Sequence, residues 1–143
     1  MKYIFSVAAV ALFTLSAQPS ISADASKKED PLYGLTFDAP KATKTGTAAN
    51  CVLAITPKSG WTLKTNTPFK MEISSTPVVE LPQTKFTAKD FVDAKEANKR
   101  VNAGFKATKA GKHNIDAKLT FFVCSDSICK RQQDAAKCSV EAK

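Results

Sequence analysis

The chain has 143 residues, of which 21 are basic, 13 acidic and 43% hydrophobic. It is too apolar and too varied to stay disordered, and its length suits one ordinary domain. The only histidine is His113, so any Ser-His-Asp or Cys-His mechanism would have to use it and multi-histidine metal sites are excluded. Neither glycine-rich nucleotide fingerprint occurs.

Read in chain order, Lys2 is followed by an apolar run over residues 4–15 and then by small residues. This is the order of a secretory signal peptide, with cleavage patterns at Ile21-Ser22-Ala23 and Ala23-Asp24-Ala25. The apolar run falls short of the roughly 20 residues that span a bilayer. The expected organisation is a signal peptide over residues 1–25 and one domain over 26–143, with 26–31 as a polar lead-in. The mature chain would carry no transmembrane segment and would be exported, either periplasmic or secreted.

Beyond Pro31 the pattern has period two, which predicts strands. Residues 32–37 and 78–81 are weaker candidates. The stronger ones carry Cys51, Leu53 and Ile55, then Phe69, Met71 and Ile73. Next come Val101, Ala103, Phe105 and Ala107, and then Ile115, Ala117, Leu119, Phe121 and Val123. Cys138 and Val140 repeat the pattern near the C-terminus. Turn signals separate the runs at Gly60, Pro68, Pro77, Pro82 and Gly111. Residues 87–99 have helical composition but only Phe91 and Val92 as large apolar side chains, which allows a short helix or a long loop. About seven short strands predict an all-β fold, an immunoglobulin-like antiparallel β-sandwich.

Four cysteines in a small exported chain predict disulfides ahead of metal ligation. Three pairings exist, and the spacing favours Cys124 with Cys129 and Cys51 with Cys138. On chain entropy, the long loop would contribute about 4.6 kcal/mol and the short one only about 2 kcal/mol. Cys51–Cys138 therefore reads as a structural staple. Cys124–Cys129 reads either as a pin for a hairpin or as an exchangeable redox pair.

The segment Phe121-Phe122-Val123-Cys124-Ser125-Asp126-Ser127-Ile128-Cys129 resembles the active-site segment of the N-terminal periplasmic domain of the thiol:disulfide interchange protein DsbD family. Weaker likeness runs through residues 55–61 and 66–69. The resemblance implies an immunoglobulin-like domain whose Cys124 and Cys129 are catalytic, in a protein-disulfide reductase or exchange component. It implies electron transfer to or from exported thiol-disulfide proteins, supplied by a membrane electron carrier. It also implies a loop capping the redox pair, for which Phe86 or Phe91 are the candidates. Lys130 and Arg131 would favour a Cys129 thiolate. Asp126 would oppose it or simply form the turn, and Phe122, on the same side as Cys124 by the period-two count, would cover the pair or pack beneath a loop. No cofactor is expected.

Two competing readings are weaker. Cys124, Cys129, Cys138 and His113 could supply metal ligands, but export favours oxidised thiols and His113 follows a turn. The basic residues are mostly scattered lysines without interleaved aromatics, so nucleic acid is not an expected partner. A basic surface would instead steer acidic protein partners. The alternative to redox exchange is a non-catalytic binding or envelope-associated domain with two structural disulfides.

Overall fold

The computed structural model describes residues 31–143. The predicted signal peptide, and all of the lead-in but Pro31, lie outside the described residues. The strands are β1 (Tyr33–Asp38), β2 (Ala48–Pro57), β3 (Lys70–Ser75), β4 (Val79–Glu80), β5 (Lys85–Thr87), β6 (Lys99–Ala107), β7 (Gly111–Cys124) and β8 (Cys129–Ala142). They form two antiparallel four-stranded sheets. Sheet A has the order β1-β2-β6-β4, and sheet B has the order β5-β3-β7-β8. The fold is the all-β, immunoglobulin-like sandwich, with one addition. The chain crosses to sheet A for the short β4 and returns to place β5 outside β3.

The period-two pattern becomes a buried face on each principal strand. Cys51, Leu53 and Ile55 of β2 are fully buried, as are Val101, Ala103 and Phe105 of β6. From sheet B they meet Met71, Ile115, Leu119, Phe121 and Val123. The residues between these point outward and are mostly polar, which is what keeps the two sheets in register. At the β6–β7 turn the chain reverses through Gly111, whose φ of 120° suits a residue without a side chain.

Two features differ from the expected strand pattern, and the 87–99 segment keeps to its expected form of a short helical turn and a loop. β8 begins at Cys129, well before the alternation at Cys138 and Val140. Its first half is an exposed edge, so no apolar period marks it. β5 has a single buried residue, Phe86, too little for a period to register. The 87–99 segment holds only a three-residue 3-10 turn (Ala88–Asp90), started by the Thr87 N–H donating to the Asp90 carboxylate at 2.7 Å. The rest is a loop drawn in by two side chains. Buried Lys99 donates to the carbonyls of Ala94 and Glu96, and Arg100 holds the Asp93 carboxylate at 2.7 Å.

The edges of the two sheets meet where β1 passes β8. The Tyr33 ring packs edge-on against Phe121, with centroids 4.8 Å apart, and its hydroxyl donates to Asp134 at 2.8 Å. Burial, then the hydrogen bond and charge of Asp134, push the phenol far above its ordinary value of 10.0. The folded protein therefore keeps a proton that the unfolded chain loses. The contribution of this group to stability is complete below the unfolded value and declines as pH rises above it. Urea melts of the parent should lose stability as pH rises above about 10, and Tyr33→Phe should flatten that slope. An unchanged slope would refute the coupling.

Candidate functional site

The site singled out by the sequence is the end of the β7–β8 hairpin. β7 pairs with β8 in one register, from Gly111↔Ala142 to Cys124↔Cys129. The Ser125 N–H donates to the Ile128 carbonyl at 2.8 Å, which makes Cys124 and Cys129 the neighbouring, non-hydrogen-bonded pair. Side chains approach most closely at such a pair. The disulfide forms there, with Cα atoms 4.0 Å apart.

Residues 125–128 close the hairpin. The Ser125 hydroxyl accepts from the N–H groups of Ser127 (3.4 Å) and Ile128 (3.3 Å), so a serine organises this turn. Asp126 is exposed at the tip. Cys124 is buried to 1% exposure, whereas Cys129 is exposed. The cause is Thr62, whose backbone exchanges two 2.8 Å hydrogen bonds with Cys124 on the side away from β8. Its neighbour Trp61 packs against the core, and the Lys130 ammonium lies 5.8 Å from the Trp61 ring centroid. Lys130 therefore flanks Cys129 in sequence while its ammonium lies over an aromatic face. Phe122 and Arg131 stand opposite each other on the outer face of sheet B. The Thr62 and Trp61 contacts carried no sequence signal beyond the turn at Gly60 and the lone tryptophan.

The other bridge joins Cys51 on β2 to Cys138 on β8, 87 residues apart, with Cα atoms separated by 6.4 Å. Both cysteines are fully buried, and the bond ties sheet A to sheet B. All four cysteines are thus in disulfides. The Nε2 atom of His113 lies 2.8 Å from the Lys109 carbonyl, within its own turn.

Charge is unequally placed. The outer face of sheet B carries Lys70, Lys85, Lys112, Lys118, Arg131 and Lys137 among Glu72, Asp116 and Glu141. The Lys70 ammonium, 3.1 Å from Glu72, donates to it and with its own charge holds that carboxyl below its ordinary value; Lys85 and Lys118 add to the effect. The outer face of sheet A is built largely of small, uncharged residues such as Thr36, Asn50, Ala54 and Asn102.

No protein family matches the chain, and no curated protein matches it. Among solved structures, AggA, the major subunit of aggregative adherence fimbriae type I from Escherichia coli, is similar at a TM-score of 0.36. The two are 11% identical over 78% of this chain and 94% of that one. The CooA pilin subunit from enterotoxigenic Escherichia coli is similar at a TM-score of 0.26. Identity is again 11%, over 76% of this chain and 99% of that one.

The resemblance to the DsbD N-terminal domain is corrected: no family model matches the chain, and the two similar structures named above are a fimbrial and a pilin subunit. The thiol-disulfide exchange function, the exported redox partners and the membrane electron carrier that the resemblance implied are withdrawn with it. The geometry gives a physical reason of its own. Phe86 and Phe91 are buried in the core, where Phe91 packs on Phe69 at 4.7 Å. They form no cap over the bridge. Cys124 is held on one side by Thr62 and on the other by its bonded partner. Among the described residues, no helix is long and apolar enough to cross a membrane.

Proposed function

We propose that this chain is an exported, non-catalytic binding or envelope-associated domain in which both disulfides are structural. The observation that carries this reading is where the bridges lie. One joins the two sheets through fully buried cysteines, and the other closes a hairpin in the register its strands already have. Each bond reinforces an arrangement that the strands make anyway. Export is supported by the signal-peptide pattern and by two disulfides, which persist in oxidising compartments. A location in the periplasm or beyond the cell fits both observations.

The test is a redox titration with mass-spectrometric mapping of each bridge. Both reduction potentials should lie below about −300 mV, as for structural disulfides. The Cys124→Ser/Cys129→Ser double variant should fold and lose no more than about 2 kcal/mol. A Cys124–Cys129 potential between about −120 and −270 mV, with mixed disulfides trapped by either single variant, would overturn the reading.

A further inference from the structure

β8 is an edge strand of sheet B and is 14 residues long. The opposite edge, β5, has three residues, and the edges of sheet A have six in β1 and two in β4. Long exposed edges template further strands, and short ones do not.

The direction of each main-chain group on β8 follows from the register. Ser125 bonds Ile128, so even-numbered residues of β8 exchange hydrogen bonds with β7. Odd-numbered residues turn their N–H and C=O toward the open edge. Three contacts agree with this assignment. The Ala135 N–H donates to the Asp134 carboxylate at 2.8 Å, the Glu141 carbonyl accepts from the Thr43 N–H at 3.0 Å, and the Lys143 N–H donates to the Thr43 carbonyl at 2.9 Å. Thr43 therefore already pairs, in parallel, with the C-terminal end of this edge. Between Cys129 and Ser139 no described residue pairs with it.

The chemistry of that stretch is basic. Lys130, Arg131 and Lys137 lie along it; on the outer face Lys118 is next to it, and Asp116 lies 3.7 Å from the Lys137 ammonium. Its one acidic residue, Asp134, is engaged by Tyr33 and by the Ala135 N–H. Ala135, Ala136 and Ser139 leave room for the side chains of an incoming strand. A second copy fits poorly, because antiparallel self-pairing centred on Asp134 sets Arg131 opposite Lys137 twice. It would also join two chains of formal charge +8.

We propose that the β8 edge between Cys129 and Ser139 binds an extended acidic segment of a partner protein as a fifth strand of sheet B. Main-chain hydrogen bonds would supply affinity, and the basic side chains would supply selection and a fast, salt-sensitive encounter. This rests on the reading of the chain as a binding domain.

The test uses the disulfide-bonded protein and two blocked ten-residue peptides. One alternates glutamate with valine and threonine, and the other has lysine at each glutamate. By hydrogen exchange, the glutamate peptide should slow the Arg131, Gln133, Lys137 and Ser139 amides at least about tenfold. The Lys130, Gln132 and Ala136 amides, already bonded to β7, should not change. Arg131→Glu with Lys137→Glu should weaken binding at least about tenfold. Gln133→Pro, which removes an N–H outside the ladder, should abolish it. If that variant fails to fold, the charge variant and the alternating exchange pattern decide. Equal binding of the lysine peptide, protection elsewhere or nowhere, or dimerisation through this edge would overturn the proposal. Loss of peptide protection with both bridges still resistant to reduction would sink this inference alone; a labile Cys124–Cys129 bridge would sink the functional reading and leave these amides unaffected.

Discussion

Replacing Cys51 and Cys138 together by alanine should lower the unfolding free energy by about 4–5 kcal/mol and the melting temperature by about 15–20 °C. The bridge spans 87 residues, so its absence restores to the unfolded chain nearly all the freedom that a long closed loop removes. Two further effects act in the folded state. Both sulfurs are fully buried between the sheets, so alanine at each site leaves a small void where two strands are held together. Because β8 is an edge strand, it has β7 on one side only for most of its length, and this bond is its covalent anchor to sheet A. Guanidinium melts of parent and double variant would measure the difference. A loss below about 1 kcal/mol would mean that the unfolded chain is already restrained by other means. The effect should exceed that of removing the Cys124–Cys129 bridge by at least about twofold, since that bridge closes a loop of five residue steps.

Phe121→Ala should cost about 3–5 kcal/mol, and Phe122→Ala about 1 kcal/mol or less. The two residues are adjacent and identical in chemistry, so the comparison isolates the face of the sheet. Phe121 is fully buried between the sheets and meets the edge of Tyr33 at 4.8 Å. Its removal deletes a large apolar volume from a place that rigid strands cannot collapse to fill. Phe122 is half-buried on the outer face, opposite Arg131, where water can take the place of the ring. Similar losses from both variants would refute the assignment of faces along β7.

The central strands were legible because burial on one face writes a period of two into the residues. Ile115, Ala117, Leu119, Phe121 and Val123 could hardly be read otherwise, and they form the innermost row of sheet B. The first half of β8 was illegible for the converse reason. Lys130, Arg131, Gln132, Gln133 and Asp134 are at the rim, where no alternation is selected. Their strand is set by hydrogen bonds to β7, which any non-proline residue can make. Phe86 and Phe91 are cap candidates only through the resemblance; long-range packing, Phe91 against Phe69 and Phe86 beside Met71, puts both in the core. The cysteine site was legible in position and misleading in chemistry. A short Cys-x4-Cys spacing suits an exchangeable pair and a pinned hairpin alike. The Thr62 backbone that buries Cys124 lies 62 residues away, beyond the reach of a local motif.

The two disulfides are nested: the Cys124–Cys129 bond lies inside the span closed by Cys51 and Cys138. A chain entering an oxidising compartment from its N-terminus presents Cys51 alone, then Cys124, then Cys129, and Cys138 last. Oxidation in order of arrival would join Cys51 to Cys124 and leave Cys129 for Cys138. Reaching the native arrangement therefore requires either that Cys51 stay reduced until nearly the whole chain has crossed or that an early bond be reshuffled. Reshuffling is a step of seconds to hours, depending on oxidant and isomerase. On the second route, the yield of native protein is tied to the isomerase capacity of the compartment as well as to the stability of the sandwich.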